Sequence, residues 1–328
     1  MMTYEEFSKI PANRSVIPSS CESFAESTFY VAEAAQRSFN KFFEEVGITE
    51  LAIFESTGTV IIYEGEKLNK FKEGFQKVLE NVWASIKAAF EKIKQAFDSI
   101  KRESAKKLLK VSGSDVDGIN DEKFNNTLGK FKYQKYKIDR VESKIKEVEV
   151  PSFDGKSVEE AKAAAQEFLD GLYGKLSGKA EDKDLQSMQD TIKEACKDGE
   201  ATELTKEYLA NNIAIMAGRT DAYLRDLGKD YRAEKAEFDK ARKAVNRLKN
   251  EDTDTAQAAL RCQVKALLAF HGAHMAIYDV KKAQLKQDLA VHKMVTALKN
   301  AKPAKKTEEK KEEVKQESAN FIEEAFNW

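Results

Sequence analysis

The apolar positions of this chain fall into long helical stripes. Between residues 66 and 110, Phe71, Phe75, Leu79, Val82, Ile86, Phe90, Ile93 and Phe97 recur at spacings of 4, 4, 3, 4, 4, 3 and 4. This is an eleven-residue repeat, whose period of about 3.67 residues per turn holds a stripe on one face of a straight helix without drift. Trp83, Ala89 and Ile100 widen it. Upstream, Phe24, Val31, Ala35, Phe39, Phe42 and Val46 share one face of another helix, opened by the capping-box spacing of Ser19 and Glu22 and closed by Gly47. Residues 51–55 and 59–64 are apolar, β-branched runs around Ser56-Thr57-Gly58, which predicts a β-hairpin between the two helices. Residues 111–122 read as a loop, and 131–138 half-alternate, while Val141, Ile145 and Val148 suit a helix.

Helical periodicity continues downstream. Ser157 and Glu160 form a capping box ahead of Val158, Ala161, Ala165, Phe168, Leu172 and Leu176. Leu185, Met188, Ile192 and Cys196 mark a short helix ended by Gly199, and a further helix is expected from about Thr202. Along it Leu224, Leu227, Tyr231, Phe238, Ala241, Val245 and Leu248 follow alternating 3 and 4 spacings, a heptad seam interrupted by the charged Glu234. A carboxylate buried at that position would need a partner. After a polar turn, with Asp254 and Gln257 placed to cap, a last helix runs to about Asn300 through Leu260, Val264, Leu267, His271, Met275, Tyr278, Leu285, Leu289 and His292. Two long helices joined by a short turn predict an antiparallel hairpin.

Prolines occur only at 11, 18, 151 and 303, so the intervening stretches tolerate long helices. They suggest an extended arm over 1–18, an α+β module over 19–150 and an antiparallel helical bundle over 151–300. A charged linker would follow over 301–320, then a terminal peptide over 321–328. The expected fold is mainly α: an elongated helical bundle or coiled-coil hairpin with a small N-terminal α+β module. The 328 residues are 41% hydrophobic and 34% charged, which suits thin helical cores.

Formal net charge is −1, so no global field draws the chain to nucleic acid or membrane. The charge is nevertheless uneven: residues 66–146 carry twenty basic and twelve acidic side chains. No secretory signal or membrane span is evident, and three scattered cysteines fit a reducing compartment, so a cytoplasmic location is expected.

Catalytic and cofactor motifs are sparse. Asp115, Asp117 and Gly118 resemble part of a calcium loop, but the first and twelfth positions would be Gly113 and Phe124, which supply no side-chain ligand. Gly171, Gly174, Lys175, Gly178 and Lys179 fit no register of the phosphate-binding loop. His271 and His274 lie one turn apart, where two metal ligands could sit, but no third ligand stands at a motif spacing, and seam histidines are the simpler reading. Cys262, in an alanine-rich stretch, reads as a small buried hydrophobe. The expectation is a non-enzymatic protein with no cofactor, no metal and no small-molecule substrate.

Binding features carry more. The stripe over 66–110 suits a core helix, an interfacial helix on an anionic membrane, or a partner-docking helix. Lys130, Phe131, Lys132, Tyr133, Lys135, Tyr136 and Lys137 interleave lysine with aromatic rings, a pattern that serves non-specific nucleic-acid binding or simply a solvated surface. The chain ends FIEEAFNW, where Phe321, Ile322, Phe326 and Trp328 form either a tethered docking peptide or a latch on the chain's own bundle.

The block GITELAIFESTGTVIIYEGEKLNKFKEGFQKVLENVW resembles segments of uncharacterised proteins of large tailed bacteriophages. The resemblance implies a virion-associated role, as an internal head, core or scaffold-like protein, and carries no functional residue with it. The sequence thus points to a structural or assembly protein that makes protein contacts and self-associates. The alternatives are peripheral binding to anionic membranes and non-specific nucleic-acid binding.

Overall fold

The structure, a computed structural model, describes residues 23–45, 66–107, 111–152, 156–177, 185–247 and 253–300. These residues are mainly helical. In chain order they form α1 (Phe24–Glu45), α2 (Glu66–Lys107), α3 (Gly113–Asp117), α4 (Asp121–Asn126), a 3-10 turn (Leu128–Lys130), β1 (Lys132–Tyr133), α5 (Ile138–Lys146), α6 (Val158–Ser177), α7 (Leu185–Cys196), β2 (Thr202–Glu203), α8 (Lys206–Asn246) and α9 (Thr253–Asn300). The arm over 1–18, the hairpin expected over 51–64, and residues 301–328 lie outside the described residues.

Several local expectations change. The stretch read as a loop after Val111 holds two short helices. Ser112 and Asp115 form a capping box on α3, and the Asn120 side chain accepts from the amides of Glu122 and Lys123 to open α4. The helix expected from Thr202 starts later. Thr202 and Glu203 pair as a strand with β1, antiparallel, with Lys132 opposite Glu203 and Tyr133 opposite Thr202. Thr205 then caps α8, its hydroxyl accepting from the Tyr208 amide at 3.2 Å. The Ser157–Glu160 capping box forms as read, with Ser157 N donating to Glu160 at 2.8 Å and Glu160 N to the Ser157 hydroxyl at 3.2 Å.

Two compact units divide the chain, and neither follows the boundary placed at Pro151. Described residues 23–45, 66–98, 136–152, 156–177, 185–198, 222–247 and 253–282 belong to the first, and 99–107, 111–135, 199–221 and 283–300 to the second. The reason is helix length: α2, α8 and α9 have 42, 41 and 48 residues, and each contributes to both units. Pro151 merely breaks the chain between α5 and α6 inside the first unit.

In the first unit α9 is the central element. Every residue from Ala266 to Tyr278 is buried, as expected of a helix covered on all sides. Small residues (Ala266, Ala269, Gly272, Ala273, Ala276) recur along this buried stretch. The α2 stripe is packed inside. Phe75, Leu79, Val82, Ile86, Phe90, Ile93 and Phe97 are all buried, and Trp83 is half-buried against the rings of Tyr231 and Phe238, at centroid distances of 5.3 and 5.2 Å. Phe71 lies on α2 in line with them. Helix α1 is tied at its start by a residue of α9. The Asp279 carboxylate accepts from the amides of Phe24 (2.6 Å) and Ala25 (3.0 Å) and from the Ser23 hydroxyl. It satisfies amides that no residue within α1 can reach and complements the positive end of the helix.

The second unit has its own core, in which Val116, Phe124, Leu128, Phe131 and Tyr133 meet Leu209, Ile213 and Met216 of α8 and Val291 and Val295 of α9. At Gly113 a Cβ would sit 2.7 Å from the backbone oxygen of Ala210, so α3 meets α8 where only glycine fits.

Candidate functional site

The ionisable side chains that the first unit buries are gathered where α8 faces α9. On α8, Asp226, Asp230 and Glu234 stand four residues apart and so share one face. On α9, His271, His274, Tyr278 and Lys281 follow spacings of 3, 4 and 3 and form the answering face. The helices are antiparallel here, so ascending positions on one meet descending positions on the other.

Each rung has distinct chemistry. Glu234, 2% exposed, accepts at one oxygen from His271 Nδ1 (2.8 Å) and at the other from His274 Nδ1 (2.6 Å). Burial alone would raise its carboxyl, but the two histidine rings that donate to it, His271 and His274, outweigh that and hold it at about 2. Burial works against a charge on His274, yet the bond to Glu234 and the nearby carboxylates of Asp230 and Glu142 raise its basicity above the usual histidine range. One turn along, Tyr278 donates to Asp230 at 2.7 Å, and burial pushes its hydroxyl well up. At the next rung the fully buried Lys281 lies 2.6 Å from Glu142 of α5 and 3.3 Å from Asp226, with its Nζ 4.8 Å from the centre of the Tyr223 ring. Glu142 and Asp226 also reach surface lysines, Lys146 at 3.8 Å and Lys229 at 3.5 Å. Cys196 sits nearby as an inert thiol, pushed up to about 12 by burial and by Glu142.

The second unit holds a smaller ionic group. Arg219 donates to both oxygens of Asp288, at 2.9 and 2.8 Å, and to the Tyr133 hydroxyl at 2.9 Å; that hydroxyl donates in turn to Asp288 at 2.6 Å. Burial opposes the Arg219 charge, but Asp288 and Tyr133 hold the guanidinium firmly protonated. These guanidinium contacts, all from Nη1, together with the Tyr133–Asp288 bond hold Tyr133 and so anchor β1.

The residues singled out from sequence fall into three sets. Of the α2 stripe, Phe75, Leu79, Val82, Ile86, Phe90, Ile93 and Phe97 are interior and Trp83 is half-buried. Among the described residues Ile215, 58% exposed, is the large hydrophobic side chain left on the surface. The basic segment is split. Phe131 and Tyr133 point into the core and offer no ring to a base. Lys132 pairs with Glu203 at 3.3 Å, Lys137 with Asp198 at 3.6 Å, and Lys135 lies 4.2 Å from the centre of the Tyr208 ring. Lys130 is exposed, and Tyr136 is half-buried and bridges to Lys197. Nucleic-acid contact through stacked rings therefore loses Phe131 and Tyr133, because alternation along β1 turns its ring-bearing position inward. The third set, Phe321, Ile322, Phe326 and Trp328, lies outside the described residues.

Asp115, considered for calcium, is committed elsewhere. It accepts from the Ser112 amide at 2.8 Å and pairs with Lys299 at 2.7 Å, which with the Ser112 bonds holds its carboxyl at about 2. Among the described residues no group of three or more His, Cys, Asp and Glu side chains could hold a metal ion. None of the described helices is long and apolar enough to cross a membrane.

Sequence reading found Glu234 and the two histidines but did not connect them. It missed Asp226, Asp230, Glu142, Lys281, Arg219 and Asp288. The signal available for the first two was their spacing of eight and four residues from Glu234. Comparison of the chain with family models, curated proteins and solved structures finds no match in any of the three.

Proposed function

We propose that this protein is a non-enzymatic structural or assembly protein that works through helical protein contacts, with FIEEAFNW as a tethered docking peptide that joins copies of the chain. The virion-associated setting implied by the phage-protein resemblance suits that role. The observation that carries the reading is how the first unit uses its buried ionisable groups. Glu234 with His271 and His274, Asp230 with Tyr278, and Lys281 with Glu142 pair with one another across helix–helix contacts. Such groups serve to fix which helix pairs with which, and in what register. A substrate would have to displace those contacts to reach them.

The test compares the full chain with a 1–300 truncation by sedimentation velocity across a concentration series. The full chain is expected to associate, and the truncation to stay monomeric with an unchanged melting temperature. Identical sedimentation of the two would remove the docking role of the terminal peptide. A large drop in melting temperature on truncation would show that Phe321, Phe326 and Trp328 belong to the folded core instead.

A further inference from the structure

The rungs between α8 and α9 do not balance in charge without added protons. Four carboxylates face the seam of the first unit: Asp226, Asp230 and Glu234 from α8, and Glu142 from α5. Among the described residues the permanent cation inside it is Lys281, with Lys146 and Lys229 touching Glu142 and Asp226 from the surface. One negative charge is left over, and the groups able to answer it are His271 and His274. Helix α2 contributes the uncharged Phe90 ring, 5.9 Å from that of His271.

Geometry also limits how many protons the pair takes. Both histidines approach Glu234 through Nδ1, so each donates Nδ1–H to an acceptor-only carboxylate. Nε2 of His271 is buried and has no hydrogen-bond partner among the described residues. A second proton there would be a buried, unanswered donor, which is costly. The proton that answers the surplus negative charge is therefore placed on His274, which donates to Glu234 at 2.6 Å.

We propose that this cluster is a proton-dependent clasp: one proton, held on His274 against Glu234, keeps α8 paired with α9 in the first unit, and its loss as pH rises releases that pairing. The sign follows from linkage. His274 is more basic folded than unfolded. Its contribution is complete below the unfolded value of about 6.5 and disappears as pH climbs through the folded one. Glu234 works in reverse, because its folded value is depressed. Its contribution is present above the ordinary carboxylate value and is lost as pH falls toward about 2.

The test is chemical denaturation of the full chain from pH 5.5 to 9, followed by Trp83 fluorescence. Trp83 packs on Tyr231 and Phe238 and reports the first unit. A Trp328→Phe background leaves it the sole tryptophan. One bound proton predicts that the unfolding constant rises by up to tenfold per pH unit above about 6.5 and levels off past the folded value. His274→Gln should abolish that slope, and His292→Gln, in the second unit, should keep it. A flat profile in the parent chain, or an unchanged slope in His274→Gln, overturns the clasp. Should His274→Gln not fold, nitrogen-15 histidine spectra of the parent chain decide. His274 as an imidazolium at pH 7 supports the proposal, and a neutral His274 refutes it.

Discussion

Lys281 shows what burying a charge demands of one residue. Its side chain is 0% exposed, and a lone ammonium in that position would carry a desolvation penalty of several kcal/mol. Glu142 at 2.6 Å, Asp226 at 3.3 Å and two tyrosine rings at 4.8 and 5.0 Å offset it. The pair is worth little against apolar residues of the same shape, yet much against a half-broken pair. Lys281→Met keeps the stem and leaves Glu142 only the surface Lys146, at 3.8 Å. We expect it to cost about 3–5 kcal/mol in urea unfolding, while the double change Lys281→Met with Glu142→Leu should recover a large part of that. A cycle whose two single changes simply add would show that the residues are not coupled.

At the scale of elements, periodicity was the readable quantity. The eleven-residue repeat of α2, the Ser157 capping box and the short helix closed by Gly199 all form where the spacing put them, and Gly199 takes a positive φ of 73° that suits glycine. What periodicity does not encode is partnership. The interruption at Glu234 and the histidines at 271 and 274 were both visible, but the register that joins them is set by how α8 lies on α9. The β1–β2 pair escaped for the same reason, since two-residue strands from segments about 70 positions apart carry no local pattern. Periodicity also does not say which way a stripe faces; burial does. Because Ile86 is fully buried and Lys87 exposed on the next position, Ile86→Ala should lose about 2–5 kcal/mol and Lys87→Ala less than about 0.5 kcal/mol. Equal effects in thermal melts would mean that the stripe is not interior.

At the scale of the whole molecule, a proline marks a break in the path of the chain and not the edge of a folding unit. The first unit draws on stretches before residue 98, between 136 and 198, and between 222 and 282. Its centre is α9, near the end of the described chain, and α1 depends on α9 for its N-terminal cap through Asp279. The second unit likewise needs the start of α8 and the end of α9 to complete the core around Tyr133. A fragment of residues 1–150 would therefore leave the α2 stripe uncovered and the start of α1 uncapped. It retains the amphipathic sequence of α2, which alone gives partial helicity, but not the contacts that make helices cooperative. We expect this fragment to show helical circular dichroism without a sigmoidal melt, and to bind a dye specific for exposed apolar surface. Co-expression with residues 151–328 should restore a cooperative transition. Cooperative unfolding of the isolated 1–150 fragment would instead show that Pro151 separates two independent folds, and that the contacts from α8 and α9 are dispensable to the first half of the chain.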